Sequence, residues 1–246
     1  MLDKIRIENI LFLDIETVPA FSEYSELPKH LQKLWDLKAR SLSRYYMRFE
    51  KDADDYENKT PEDLYERAGI YAEFGKIICI SAGYIKAGHE FRTTSFYGDD
   101  EKELLSRFVQ LLNDYYNKPQ HLLCAHNGKE FDFPYLARRI LINGLKLPEI
   151  LNIGGKKPWE IAHLDTMELW KFGDYKKYTS LNLLAAIFDI PTPKDDIEGS
   201  DVARVYWKEK GLDRIVNYCR KDVITVAKLF MRFKGEPMID EVIATT

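Results

Sequence analysis

The segment Ile10-Leu-Phe-Leu-Asp-Ile-Glu16 constrains this chain more than any other. Four apolar residues in succession suit a strand buried on both faces, and this run ends in acids. Residues i and i+2 of a strand point to the same side, so Asp14 and Glu16 face a common point. Two carboxylates beside a core are costly to keep ionised unless cations or hydrogen-bond donors balance them. The Asp-x-Glu tripeptide alone also fits a solvated strand end. The rest of the chain must decide between the two.

The remaining periodicities give an α/β plan. Ile77 to Ile85 is a second strand, Ala87-Gly88 a turn, and Glu90 to Tyr97 a third, so the pair forms a hairpin. Asp99-Asp100 caps a helix with Leu104, Leu105, Phe108, Val109, Leu111 and Leu112 at helical spacing. Leu122 to His126 is a fourth strand, and Phe131 to Asn143 is a helix that stops near Asn143-Gly144. Ile161 to Met167 is a fifth strand, and Ser180 caps a helix to about Ile190. Pro191 and Pro193 open a loop, and a last helix runs from about Leu212 to Phe233. Antiparallel and parallel pairs then share one sheet.

Residues 21–75 interrupt this order as an insertion after the first strand. Its first half is basic and aromatic (Lys29, Lys33, Lys38, Arg40, Arg44, Tyr45, Tyr46, Arg48, Lys51). Its second half is acidic (Asp52, Asp54, Asp55, Glu57, Glu62, Asp63, Glu66). Two readings stay open: a pair of solvated helices, or an arm with cations on phosphates and tyrosines stacked on bases.

At 246 residues the chain suits a single domain, 1–246, carrying that insertion. No apolar run approaches the ~18 residues of a membrane span, and the N-terminus lacks the pattern of a secretory signal. A cytoplasmic location without membrane attachment is expected. Cys79, Cys124 and Cys219 are odd in number and far apart, which predicts buried free thiols in a reducing compartment. The net charge of −4 predicts that phosphate contacts are local rather than spread over the surface.

Two later motifs carry acids. In Asn127-Gly-Lys-Glu-Phe-Asp132, Gly128 permits a turn and Asp132 begins the next helix, where a capping carboxylate is common. In Tyr218-Cys-Arg-Lys-Asp222 the i, i+4 spacing sets a phenol one helical turn from a carboxylate. By itself that is an ordinary surface pair.

Taken in order, the acid pair, the loop-to-helix Asp and the Tyr-x-x-x-Asp helix resemble the DEDD exonuclease superfamily in its tyrosine (DEDDy) subclass. Phe12 to Pro19 looks like the first motif, Asn127 to Asp132 the second and Tyr218 to Asp222 the third. The similarity is greatest to the proofreading exonuclease domains of family B DNA polymerases and to stand-alone predicted exonucleases like them. It includes His163-Leu-Asp-Thr166 and the Ser180-Leu-Asn-Leu-Leu stretch.

The resemblance implies an RNase H-like fold, with a mixed sheet of about five strands flanked by helices. It implies 3′–5′ exonuclease activity that releases nucleoside 5′-monophosphates from DNA, using two divalent cations, Mg²⁺ or Mn²⁺. Asp14 would bridge the two ions, Glu16 and Asp222 would complete the site beside the nucleophile, and Asp132 would hold the second ion. Oxygen ligands suit such hard cations. Tyr218 would orient the attacking water, since a phenol is a poor base at neutral pH. Ile15, Thr17 and Val18 would meet the terminal nucleotide, with Asn127 and Phe131 opposite. Lys171, Lys176 and Lys177 are candidates for the backbone, and His126 has no catalytic role. The implied partner is a single-stranded 3′ end, with a polymerase or repair complex as a further one. Without a polymerase domain, proofreading in cis is not expected. The oligomeric state is not legible. An exoribonuclease of the same fold and a non-catalytic nucleic-acid-binding module are the alternatives.

Overall fold

A computed structural model describes residues 2–49, 59–86, 90–174, 178–191, 197–239 and 241–244, with side chains 46–49 and 241 excepted. Six strands form one sheet among these residues. They are β1 (Ile10–Pro19), β2 (Gly75–Lys86), β3 (Glu90–Tyr97), β4 (Leu122–Ala125), β5 (Leu164–Asp165) and β6 (Glu241–Ala244). The order is β5-β4-β1-β2-β3-β6. β2 and β3 pair antiparallel as a hairpin, β1 runs antiparallel to β2, and the β1–β4, β4–β5 and β3–β6 pairs are parallel. The helices are α1 (Lys29–Phe49), α2 (Glu101–Tyr115), α3 (Asp132–Ile142), α4 (Thr166–Lys171), α5 (Leu181–Ile187), α6 (Val202–Trp207) and α7 (Leu212–Lys234). This mixed sheet flanked by helices is the RNase H-like fold. None of the described helices is long and apolar enough to cross a membrane.

The first strand is buried on both faces, and each face has its own partner. Leu11, Leu13 and Ile15 pack with Leu104, Leu105 and Phe108 of α2 and with Phe133, Leu136 and Ile140 of α3. Ile10 and Phe12 point the other way, onto Val223, Val226, Ala227 and Phe230 of α7. Val18, further along that same side, meets Val205 of α6 and Ile215 of α7. The long helix α7 therefore covers the whole column 10-12-14-16-18. It closes at Gly235, which takes the left-handed conformation (φ 73°) that a residue without Cβ adopts at little cost.

Several boundaries differ from the expectation. Asp14 and Glu16 are not at the end of their strand, because β1 continues three residues to Pro19. The strand expected over 161–167 is only Leu164–Asp165. Asp165 accepts from the Met167 and Glu168 N–H groups and starts α4. A side-chain acceptor that satisfies two amides at once ends the strand there. Among the described residues the sheet has six strands, one more than the roughly five expected. β6 was missed because a four-residue Glu-Val-Ile-Ala run at the chain's edge has no diagnostic period.

The described parts of the segment 21–74 pack against one another around buried Trp35. That ring meets Tyr65 and Phe74 edge-on, and its Nε1 donates to Pro61 O at 2.7 Å. Its basic half is one helix, α1, on which Lys29, Lys33, Arg40, Arg44 and Tyr45 are exposed and Lys38 lies over the Tyr71 ring. Its described acidic half consists of turns and a 3-10 segment, Tyr65–Ile70, rather than a second α-helix. The side chains of Tyr46 and Arg48, together with Lys51, Asp52, Asp54, Asp55 and Glu57, lie outside the described residues. So do the Ala87-Gly88 turn, Lys176, Lys177 and Pro193.

A buried ion pair ties the return of this segment to the sheet. Glu101 accepts from the Ile77 N–H at 2.7 Å and from Arg139 Nε at 2.8 Å, and a second, very short contact joins Arg139 Nη2 to Glu101 Oε2. Arg139 Nη1 donates to Ala72 O at 2.8 Å. Three separate pieces of chain thus meet at one pair whose donors and acceptors are matched.

Candidate active site

The site grows from the column along β1. Asp14 and Glu16 share the face covered by α7, where the apolar contact is interrupted for two residues. One carboxylate oxygen from each lies within 4.8 Å of the other and of Cys219 Sγ on α7. The Cys219 thiol donates to Asp14 O at 3.4 Å. Opposite these acids on β2 stand Ser81, paired with Asp14, and Cys79, paired with Glu16. Register shifts after this point, with Thr17 opposite Ile77, so Ile78 is the extra residue of a bulge.

Asp132 arrives from the loop after β4. Phe131, not an acid, occupies the N-cap position, so Asp132 is the first helical residue and not a capping carboxylate. Its carboxylate accepts from its own N–H and from that of Ile15, which docks α3 onto β1. The loop is held in place by Asp165, a residue sequence reasoning passed over. Asp165 accepts from the N–H groups of Asn127 (3.0 Å), Lys129 (3.1 Å), Met167 (2.9 Å) and Glu168 (3.1 Å). The His-Leu-Asp-Thr stretch carried that signal, an Asp set before a helix start. Gly128 is needed for space rather than for turn geometry. A Cβ there would stand 2.5 Å from Ala125 Cβ, while the left-handed residue is Asn127 (φ 62°).

Asp222 and Tyr218 come from α7. The phenol is hydrogen-bonded to the Asp222 carboxylate, and a Cβ on Gly199 would already touch its oxygen at 4.0 Å. Asp14 and Glu16 form the tightest part of the cluster, and Asp132, Asp222 and Tyr218 stand near enough to act on it or be acted on by it electrostatically. Burial pushes the Asp14 carboxyl well up, and Glu16, Asp132 and Asp222 push it further. Glu16 is raised by burial and then by Asp222, Cys79 and Asp132. Asp132 is pushed up to about 7, first by burial, with Asp165 adding to it against its two backbone hydrogen bonds. Tyr218 is driven far above its ordinary range by burial and the acids, so it stays a neutral phenol.

The expected substrate contacts divide. Thr17 is partly exposed. The side chains of Ile15 (5% exposed) and Val18 (0%) belong to the core, so neither can present an apolar side chain to a ligand. Asn127 is partly exposed, and its buried Oδ1 has no hydrogen-bond partner. Phe131 packs at the edge of the core against Tyr135. Lys129 pairs with Glu168 at 2.6 Å, and Lys171 ends α4. His126 is spanned between Thr166 Oγ1 and Thr179 O, each at 2.9 Å, a structural role that fixes the segment before α5.

Tyr178 was not singled out from sequence. It is 66% exposed, meets the His126 ring edge-on, and has its phenol pKa raised by burial and then by Asp132, Asp165 and Asp14. It thus stands at the mouth of the acid cluster. No period marks such a residue, because it is placed by the His126–Thr179 contact.

The donor set suits hard divalent cations. Four carboxylates converge, and the charged neighbours acting on Asp14 and Glu16 are acids or thiols rather than lysine or arginine. A cation would relieve the repulsion that raises them.

Comparison with known proteins agrees with this geometry. The family described as "Predicted 3′-5′ exonuclease related to the exonuclease domain of PolB" matches residues 70–240, well over half of the chain. That span holds Asp132, Tyr218 and Asp222 and begins after Asp14 and Glu16. The chain is similar to a DNA polymerase of Pyrococcus glycovorans, 24% identical over 146 residues, covering 54% of this chain and 18% of that protein. It is likewise similar to DNA polymerases of Desulfurococcus sp. (strain Tok) and Thermococcus sp. (strain 9oN-7), each 26% identical over 145 residues with the same shares. The chain thus spans less than a fifth of the length of these relatives. By the extent of the family match, the chain belongs to the predicted 3′–5′ exonucleases related to the exonuclease domain of PolB.

Proposed function

We propose that this chain is a metal-dependent 3′–5′ exonuclease of the DEDDy type that hydrolyses DNA from a single-stranded or frayed 3′ end. The observation that carries this reading is the convergence of Asp14, Glu16, Asp132 and Asp222, with Tyr218 hydrogen-bonded to Asp222. Asp14, Glu16 and Asp222 would hold one cation, and Asp14 and Asp132 the other. Mg²⁺ or Mn²⁺, when bound, would polarise the phosphate and ease deprotonation of water. DNA as substrate is supported by the relatives, which are DNA polymerases.

Water attacks the terminal phosphorus, the bond to the 3′ oxygen of the preceding nucleotide breaks, and that oxygen takes up a proton. A nucleoside 5′-monophosphate leaves. Tyr218 donates to Asp222, which leaves the lone pairs of its oxygen to accept from the attacking water. It orients and does not titrate. Backbone at Thr17 and the orphan Oδ1 of Asn127 offer polar contacts to the terminal nucleotide, since an unpaired buried acceptor costs about 1–3 kcal/mol. On this reading residues 1–246 form one exonuclease domain. The segment 21–75 is an insertion across which β1 and β2 pair directly.

The test uses matched 5′-labelled single-stranded DNA, duplex DNA and RNA with Mg²⁺ or Mn²⁺. A descending ladder on DNA, abolished by Asp14→Ala, is the expected result. A ladder on RNA alone would reassign the substrate, and no cleavage of any substrate would leave a binding module.

A further inference from the structure

A second polar cluster lies on the acid-bearing side of the sheet, beyond the catalytic column. Lys76 pairs with Val18 across β1 and β2, so it shares the face of Asp14 and Glu16. Lys76 Nζ donates to Tyr206 Oη at 2.9 Å, and that hydroxyl donates to Asp99 Oδ1 at 2.6 Å. The Lys76 ammonium stands 4.9 Å from the Tyr206 ring centre and 5.0 Å from that of Trp207. Lys210 Nζ lies 5.6 Å from the same indole. Trp207 is fixed in turn, with Nε1 donating to Pro19 O at 3.2 Å at the end of β1. Lys76, Asp99, Tyr206, Trp207, Lys210 and Leu212 line a groove of about 410 Å³.

The chemistry of this groove is specific. Buried Tyr206 and half-buried Lys76 form a hydrogen-bonded base, while Lys210 is exposed and lies over the indole. Lys210 sits in the left-handed region (φ 56°), a strained conformation for a residue with Cβ. Swinging Lys210 outward to an anion would open indole surface. Two cations beside a rigid aromatic plane, with one acid already engaged by a tyrosine, match a phosphodiester and the base attached to it. Val18 is four residues from Asp14, about 13 Å along an extended strand. At the ~3.4 Å spacing of a stacked strand, that span along β1 corresponds to about four nucleotides.

We propose that the Trp207–Lys76–Lys210 groove is a second single-strand subsite, which holds a base and a phosphate a few nucleotides upstream of the scissile 3′ end. It rests on the exonuclease reading above and adds to it the path of the strand beyond the acids. The groove would make the enzyme favour oligonucleotides long enough to reach it.

Anisotropy of a labelled eight-residue oligothymidylate tests this, in EDTA and in the Asp14→Asn background, where turnover is blocked. Trp207→Ala is expected to weaken binding about tenfold or more, while Trp207→Phe retains most of it. Lys210→Ala, an exposed change that leaves the fold alone, should weaken binding severalfold and lower the salt slope by about one. Lys208→Ala, exposed and outside the groove, is the control. If Trp207→Ala and Lys210→Ala bind as the control does, the subsite is overturned while the exonuclease reading stands. If the parent protein binds no oligonucleotide at all, the subsite is overturned as well, and the cleavage ladder with metal decides the exonuclease reading separately.

Discussion

The Cys219 thiol donates to the main-chain oxygen of Asp14 at 3.4 Å, one residue after Tyr218 and three before Asp222. This contact joins α7 to β1 at the level of the acids, between the apolar contacts of Phe12 and Val18 with the same helix. Burial pushes the thiol well up, so it remains a donor. Cys219→Ser keeps a donor and is expected to hold stability within about 1.5 kcal/mol of the parent. Cys219→Leu overfills the space and is expected to cost about 1–3 kcal/mol in urea denaturation. It should also lower kcat by shifting α7. A Leu variant with unchanged kcat would show that this contact does not set the geometry of the site.

Without metal, the acid cluster should make the fold sensitive to pH. Carboxyls titrate near 4 in an unfolded chain. Asp132 is pushed up to about 7 and Asp14 and Glu16 well up. The native state therefore holds more protons than the unfolded state between about pH 4 and 7, and stability falls as pH rises through that window. Calorimetry in EDTA should give a lower Tm at pH 8 than at pH 5.5. Mn²⁺ should raise Tm more at pH 8, since metal competes with those protons. An EDTA Tm that is flat or rising with pH would contradict the cluster's electrostatics.

Tyr218→Phe removes the hydroxyl and leaves the carboxylates. On the exonuclease reading, kcat is expected to fall about 10- to 100-fold, while the Mn²⁺ concentration for half-maximal rate stays put. Asp222→Asn should move that metal midpoint upward. Metal titrations of the rate for both variants separate water positioning from metal holding.

Tyr178 stands at the mouth of the cluster with its ring largely free. Tyr178→Ala is expected to lower kcat/KM on single-stranded DNA about fivefold or more through KM, as loss of one stacking platform would. Tyr178→Phe should be close to wild type. Steady-state kinetics on one oligonucleotide decide it, and equal losses in both variants would point to the hydroxyl instead.

Arg139 is buried against Glu101 and Ala72 O. Arg139→Met strands the Glu101 carboxylate and is expected to cost about 3–5 kcal/mol in chemical denaturation. A loss under 1 kcal/mol would mean that water reaches the pair.

How far the sequence reached depends on the range of the interaction. The apolar run of β1, the helical spacing of α2 and the 23-residue α7 were legible because each is set by local period and length. The three motifs carrying Asp14, Glu16, Asp132, Tyr218 and Asp222 were legible as types of residue in order. Their convergence was inferred only through resemblance, since separations of 86 residues and more leave no periodic trace. The short β5 and β6 were misread or missed because two to four residues carry too little pattern, and pairing with a neighbour makes them strands. Ile15 and Val18 were expected to face a ligand. Strand alternation puts Ile15 under α2 and α3, while Val18 shares the acids' face but is sealed by α6 and α7.

The sequence by itself determined a two-faced central strand with acids on one face, and a late helix whose Tyr and Asp share a side. Both follow from fixed backbone periods of two and 3.6 residues. Only the tertiary structure decided how those elements meet. It laid α7 along the acid column, used Asp165 to shape the Asn127 loop, and brought Lys76 beside Trp207. Such contacts depend on packing between distant segments, where burial and repulsion set the chemistry of each group.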